Sequence, residues 1–235
     1  MFEYFRQVIY KRAPSQCLVC NDWPGQAICE SCVSRFARPE PRCETCALRV
    51  PLGVSKCGRC LVSPSELDRC FAAVPYEFPW AHLIRDFKFN QQAGLADTLS
   101  LLISSLPWVE PELDSADAII PIPLSRARLR ERGYNQSALL ARALAPNKVL
   151  PSGLIRLKDA AKQSSSKRAN RFENVMDAFA IDPLMAPRLR HRHVVLIDDV
   201  MTTGASLNSA AKVLRAAGIR RITGLVVART DVHSA

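Results

Sequence analysis

The segment Val194-Val-Leu-Ile-Asp-Asp-Val-Met-Thr-Thr-Gly-Ala-Ser206 constrains the fold more than any other part of this 235-residue chain. Its four consecutive apolar residues read as a buried strand, and two acids follow at the strand's carboxyl end. A Thr/Gly/Ser turn then leads straight into Ser206 to Ala217. There Leu207, Ala210, Ala211 and Leu214 recur at helical spacing, and Gly218 stands as the residue after the helix. Such a turn offers successive backbone N–H groups, hydroxyls and a helix N-terminus, which together cradle a phosphate. Gly204 allows the chain to turn tightly and a ligand to approach. Asp198 and Asp199 would repel an anion. They are placed instead to accept hydrogen bonds from vicinal hydroxyls, or to hold a cation, beside it. A sugar bearing both a phosphate and a free diol fits that arrangement.

The surrounding pattern alternates helix and strand. Helices are expected over Pro79 to Phe89, Gly94 to Leu106 and Tyr134 to Ala145, and buried strands over Ala118 to Ile122 and Ile222 to Ala228. This order predicts an α/β domain over residues 75–235, with a mostly parallel sheet, helices on both faces and ligands at the carboxyl ends of the strands. His191 and His193 read as surface residues flanking a strand. The strand ending near Pro123 should open at the same edge as Asp198. The loop after it carries Arg126, Arg128, Arg130 and Arg132, a density of donors suited to pyrophosphate with Mg²⁺ completing the clamp, or else a solvated basic face. Residues 157–171, rich in Lys, Arg and Ser, read either as a lid that includes Lys158 or as a plain linker.

All nine cysteines lie before residue 71, and eight of them form C-x-x-C pairs: Cys17/Cys20, Cys29/Cys32, Cys43/Cys46 and Cys57/Cys60. Each knuckle turns two thiolates toward one ion, and four thiolates satisfy tetrahedral zinc. Two structural Zn²⁺ ions are expected, in a small double zinc ribbon over residues 13–65. The spacers suit two sequential sites, while a cross-braced pairing of first with third remains open. Little else in this stretch could make a core, so metal binding should largely fold it. Cys70, beside Phe71-Ala-Ala-Val74, reads as a buried small hydrophobe.

The Val194–Ser206 string resembles the phosphoribosyl pyrophosphate (PRPP) signature of type I phosphoribosyltransferases. Pro121-Ile-Pro-Leu-Ser-Arg126, Arg130-Glu-Arg-Gly-Tyr-Asn-Gln136, Leu83-Ile-Arg-Asp-Phe-Lys88, the Arg156/Gln163 segment and Arg168…Arg171…Asn174 narrow the resemblance to the ComF family, as does the double zinc ribbon. The resemblance implies a type I phosphoribosyltransferase-like domain in which Asp198 and Asp199 hold the ribose hydroxyls. The PRPP loop would be Val200, Met201, Thr202, Thr203, Gly204, Ala205 and Ser206, with Thr202 to Ser206 on the 5′-phosphate. Arg126, Arg130, Arg132 and Lys158 would face the pyrophosphate. It further implies a role in DNA uptake during natural transformation, with Mg²⁺-pyrophosphate displaced at ribose C1 if the protein turns over. A non-catalytic module that senses PRPP or a nucleotide, or grips single-stranded DNA, is the alternative.

Charge supports an anionic partner. Residues 120–192 hold 15 Lys/Arg against five Asp/Glu, so the chain's net +10 is concentrated there. PRPP, single-stranded DNA and competence proteins met through the zinc ribbon are the expected partners. With 48% apolar residues the chain can bury a core. No apolar run approaches the ~18 residues of a spanning helix, and Lys11 and Arg12 follow the first apolar residues, the wrong order for a secretion signal. A cytoplasmic protein without membrane insertion is expected.

Overall fold

The computed structural model describes residues 16–23, 26–157 and 178–231. It divides into two compact units, Met1–Arg38 and Pro39–Ala235. In the first, Cys17 and Cys20 form one knuckle, and Cys29 caps the short helix α1 (Glu30–Phe36), whose first turn carries Cys32. The second knuckle repeats this plan, since Cys57 caps α2 (Gly58–Val62) and Cys60 lies on it. This second cluster belongs to the larger unit, where Cys43, Cys46, Cys57 and Cys60 share one apolar cluster with Leu67, Cys70, Met201 and Leu207.

A four-stranded parallel sheet forms the centre of the larger unit, in the order β1 (Arg69–Pro75), β6 (Arg221–Arg229), β5 (His193–Met201), β2 (Ala118–Pro121). Between β1 and β2 run α3 (Trp80–Phe89), α4 (Leu95–Ser104) and α5 (Val109–Ser115). After β2 come α6 (Arg126–Arg132) and α7 (Gln136–Leu144). An antiparallel pair, β3 (Leu154–Arg156) and β4 (Phe179–Ile181), precedes α8 (Ala186–Leu189), and α9 (Ala205–Ala216) joins β5 to β6. Successive strand residues face opposite ways. Val194 and Leu196 therefore share a cluster with Leu207, Ala210 and Leu214 of α9, while Val195 and Ile197 turn to the other face, where α7 packs on β5 and β2 and α4 on β6 and β1. Among the described residues no helix is long and apolar enough to cross a membrane.

Three sequence expectations need correction here. The sheet begins at Arg69 rather than after residue 75, because Phe71-Ala-Ala-Val74 pairs in parallel with β6 and buries Cys70. The arginines after β2 lie on α6 rather than a loop. Ser125 accepts a hydrogen bond from the Arg128 N–H at its start, and Gly133, at φ +80°, ends it in a left-handed turn. His193 is buried, not a surface residue. Its ring lies 3.3 Å from Ser115 Oγ and 3.1 Å from Thr223 Oγ1, beside Glu112.

That polar group seals the amino ends of the central strands. The Glu112 carboxylate, 5% exposed, accepts hydrogen bonds from Arg221 and, at 2.9 Å, from Thr223 Oγ1. Burial, and next the charge of Arg221, push the His193 pKa down against the opposing pull of Glu112. Glu112→Gln should destabilise the protein by about 1–3 kcal/mol, since it weakens a charge-assisted bond inside the structure. Urea unfolding monitored by circular dichroism measures the loss.

Candidate functional site

Strand lengths decide where the two acids emerge. β6 supplies ladder partners along all of β5, so the strand runs past the acids to Met201, four residues beyond the apolar run. β2 stops at Pro121, opposite Ile197. The β2 side of β5 is thereby left open at Asp198 and Asp199, and α7 fills it. Asn135 caps α7 through the Ser137 N–H at 3.0 Å and donates to the Ile122 carbonyl at 3.1 Å, which ties the helix to the end of β2.

The acids differ in their surroundings. Asp198 is half-buried, and its Oδ1 accepts hydrogen bonds from Ser137 Oγ at 3.0 Å and from the Asp199 N–H at 2.9 Å. Burial, reinforced by the charge of Asp199, raises the Asp198 pKa from 3.8 to about 7 against the opposing pull of Lys88. Asp199 is 6% exposed. Its Oδ1 lies 2.8 Å from Lys88 Nζ and its Oδ2 4.0 Å from an Arg132 nitrogen. A strand-end position suggests two partly exposed acids, yet one of them is buried and ion-paired.

Lys88 had no role assigned from sequence. It sits on the last turn of α3, where the periodicity marks Trp80, Leu83, Ile84 and Phe87 as the buried stripe and leaves the lysine at the stripe's edge. A pair of adjacent carboxylates demands a cation, and that demand is the signal that could have found it. Tyr134 and Gln136, at the start of the helix expected from Tyr134, fasten this region. Both donate to the Phe87 carbonyl, at 2.5 and 3.3 Å, and Gln136 is fully buried. Arg132 donates to Gln136 Oε1 at 3.0 Å and lies over the Phe89 ring, while its buried Nε has no hydrogen-bond partner among the described residues. Arg126 and Arg130 are exposed on α6, so of the three arginines only Arg132 reaches the acid pair. Lys158, with Gln163, Arg168, Arg171 and Asn174, lies outside the described residues.

The turn after β5 has the geometry its composition suggests. Gly204 adopts φ +80° and heads α9, a left-handed conformation that strains any residue with a side chain, and a Cβ there would also sit 2.5 Å from Met201 Cε and displace it. Thr203 Oγ1 accepts from the Ala205 N–H at 3.3 Å. Asp198 and every residue from Val200 to Leu207 line a small cavity of about 40 Å³. A larger one of about 280 Å³ opens between Thr203, Ala205 and Asn208 on one side and Arg59 and Cys60 on the other.

Both cysteine clusters pair sequentially, Cys17, Cys20, Cys29 and Cys32 in one and Cys43, Cys46, Cys57 and Cys60 in the other, with all sulfurs of a cluster within 4.8 Å. The Cys20–Cys29 and Cys46–Cys57 sulfurs are 3.7 and 3.6 Å apart, close to the ~3.8 Å edge of a tetrahedron with 2.3 Å Zn–S bonds. Backbone N–H groups outweigh burial at Cys17, which falls to about 6, and a Thr45 hydroxyl with backbone N–H groups does the same at Cys43. Burial pushes Cys32, Cys46 and Cys60 upward, so these thiols ionise when a cation shares the site. The donor set fits zinc. Cys70 is not part of it. Burial lifts its thiol to about 12, and it packs 3.7 Å from the Met201 sulfur.

A parallel sheet whose central strand delivers an acid pair into a glycine turn at a helix N-terminus is the framework of a phosphoribosyltransferase-type domain, and residues 132–233 match the family model described as the phosphoribosyl transferase domain. The chain is 32% identical over 203 residues to competence protein F of Haemophilus influenzae, covering 83% of this chain and 87% of that one. It is 30% identical over 231 residues to the DNA utilization protein YhgH of Escherichia coli O6:H1, covering 92% and 98%. Competence protein ComFC of Bacillus subtilis is 37% identical over 131 residues, 54% of this chain and 50% of its own. The chain belongs to the ComF family.

Two measurements test this description. The protein should carry about two zinc ions, and Cys29→Ser and Cys57→Ser should each lose about one by elemental analysis. Because the Asp198 pKa is raised in the folded state, its contribution to stability is present below pH 3.8 and fades as pH rises through about 7. Thermal melting of the wild type should therefore fall between pH 5 and 8 more steeply than that of Asp198→Asn.

Proposed function

We propose that this chain is a competence-type, DNA-utilisation protein of the cytoplasm whose larger unit binds PRPP with Mg²⁺. The observation that carries the reading is the cavity lined by Asp198 and residues 200–207, closed by a left-handed Gly204 at the head of α9. Backbone N–H groups and hydroxyls from Thr202 to Ser206 take the 5′-phosphate, compensated by the helix N-terminus. Asp198 accepts hydrogen bonds from the ribose hydroxyls, with Ser137 holding its carboxylate in place. Asp199 sits behind it, paired to Lys88 and near Arg132. Those two cations are poised to turn toward the pyrophosphate when it arrives, which frees Asp199 for the second hydroxyl.

Oxygen donors at the strand end suit a hard cation, and Asp198 with the ligand's own oxygens would hold Mg²⁺, which would supply charge neutralisation for a leaving pyrophosphate. The chain's own contribution is electrostatic. Carboxylates on one side of the ribose and cations on the other match the charge separation that grows as the C1–O bond to pyrophosphate breaks. Calorimetry with PRPP and Mg²⁺ should show at least tenfold weaker binding by Asp198→Asn/Asp199→Asn, a pair of isosteric changes that leaves Lys88 and Arg132 sterically undisturbed. Equal affinity of variant and wild type would remove the reading. Pyrophosphate release in the presence of nucleobases distinguishes turnover from sensing.

A second reading is favoured by one observation: Arg126, Arg128 and Arg130 are all exposed on α6. They suit the backbone of single-stranded DNA. Replacing all three by Ala should lower single-strand affinity and flatten its salt dependence by about 0.7 log units per log salt for each lost phosphate contact.

A further inference from the structure

The second cysteine cluster is physically joined to the turn after β5, and two arginines make the joint. Arg229, the last residue of β6, is 1% exposed. Its Nε donates to the Cys46 carbonyl at 2.9 Å, and its Nη1 donates to the carbonyls of Met201, at 3.0 Å, and Thr202. One guanidinium thus grips the backbone of a cysteine in the cluster and the backbone at the mouth of the turn. From the cluster's other side, Arg59 on α2 lies between Cys57 and Cys60 in sequence and donates to the Thr203 carbonyl at 2.9 Å. Three consecutive turn carbonyls, at 201, 202 and 203, are therefore held by cations anchored at or beside the cluster.

Charge gives the joint a physical reason to respond to metal. A guanidinium taken out of water needs a compensating negative charge. No carboxylate hydrogen-bonds to Arg229 among the described residues, and its buried Nη2 has no partner there. Four thiolates around one Zn²⁺ retain a net charge of about −2, which supplies that compensation next to the Cys46 carbonyl.

We propose that metal at Cys43, Cys46, Cys57 and Cys60 sets the conformation of the Thr202–Ser206 turn, with Arg229 and Arg59 as the positioning residues that transmit it. The second zinc site is in this sense part of the ligand-binding apparatus. Its effect on PRPP affinity rests on the functional reading above, whereas its effect on the turn does not.

Two readouts separate these claims: PRPP affinity with Mg²⁺, and hydrogen exchange of a peptide spanning residues 198–208. Arg59→Ala should keep its zinc and its melting temperature, weaken PRPP binding about three- to tenfold and accelerate exchange in the turn. Arg59→Lys should recover part of both. Cys57→Ser should lose one zinc and accelerate turn exchange further. Cys29→Ser, which alters the cluster in the other compact unit, should leave turn exchange at the wild-type rate. Wild-type exchange in both Arg59→Ala and Cys57→Ser overturns the proposal, and so does equal acceleration in Cys29→Ser. If the wild type fails to bind PRPP while Cys57→Ser still speeds turn exchange, the ligand assignment falls and the coupling stands.

Discussion

Parallel pairing of β5 between β2 and β6 is the constraint from which the rest of this molecule follows. A parallel strand delivers all its functional groups at one end, and β5 outlasts β2 by the four residues from Asp198 to Met201. That difference in length creates the opening into which α7 sends Ser137 and α3 sends Lys88. Had the two strands ended together, the acids would have been covered by ladder partners on both sides. The site is a consequence of where hydrogen bonding stops.

Electrostatics then divides two neighbouring aspartates into different roles. Asp199 receives Lys88 and the more distant Arg132, whereas Asp198 receives a hydroxyl and a backbone N–H. Two like charges one residue apart cannot be equally content in a half-buried place, and Asp198 carries the burden in its raised pKa. The arrangement keeps a carboxyl available near neutral pH whose charge state answers to whatever cation or hydroxyl comes within reach.

The central strand, the turn and the helix after it were legible because apolar run, acids, glycine and helical period lie contiguous in sequence. Both cysteine clusters were legible for the same reason, although only the folded chain decides that they pair sequentially. The elements that local sequence conceals are those whose signals are mixed. Strand β1 opens with Arg69-Cys70, next to the cysteine-rich region, and its parallel partner lies over 150 positions away. In α6 the arginine-rich composition masks a helix that Ser125 and Gly133 bracket with ordinary caps. Lys88, Arg59 and Arg229 owe their importance to long-range contacts, with Arg59 meeting a residue 144 positions later. No local pattern encodes such a meeting. Tyr134 and Gln136 are no more legible, because polar residues at a helix start are ordinarily caps, whereas these two bond the distant Phe87 carbonyl.

The two ends of the sheet are built to opposite standards. At the amino ends of the strands, Glu112, His193, Thr223 and Arg221 satisfy one another in a closed group. At the carboxyl ends an acid is held away from its preferred charge, and one nitrogen each of Arg132 and Arg229 lacks a partner among the described residues. Free energy is thus distributed unevenly along each strand, and fraying should start where the acids emerge. A molecule that completes this upper edge acts as the missing piece of the fold. It would raise the temperature at which the whole domain melts, and would register as a folding cofactor even if no bond were ever made or broken.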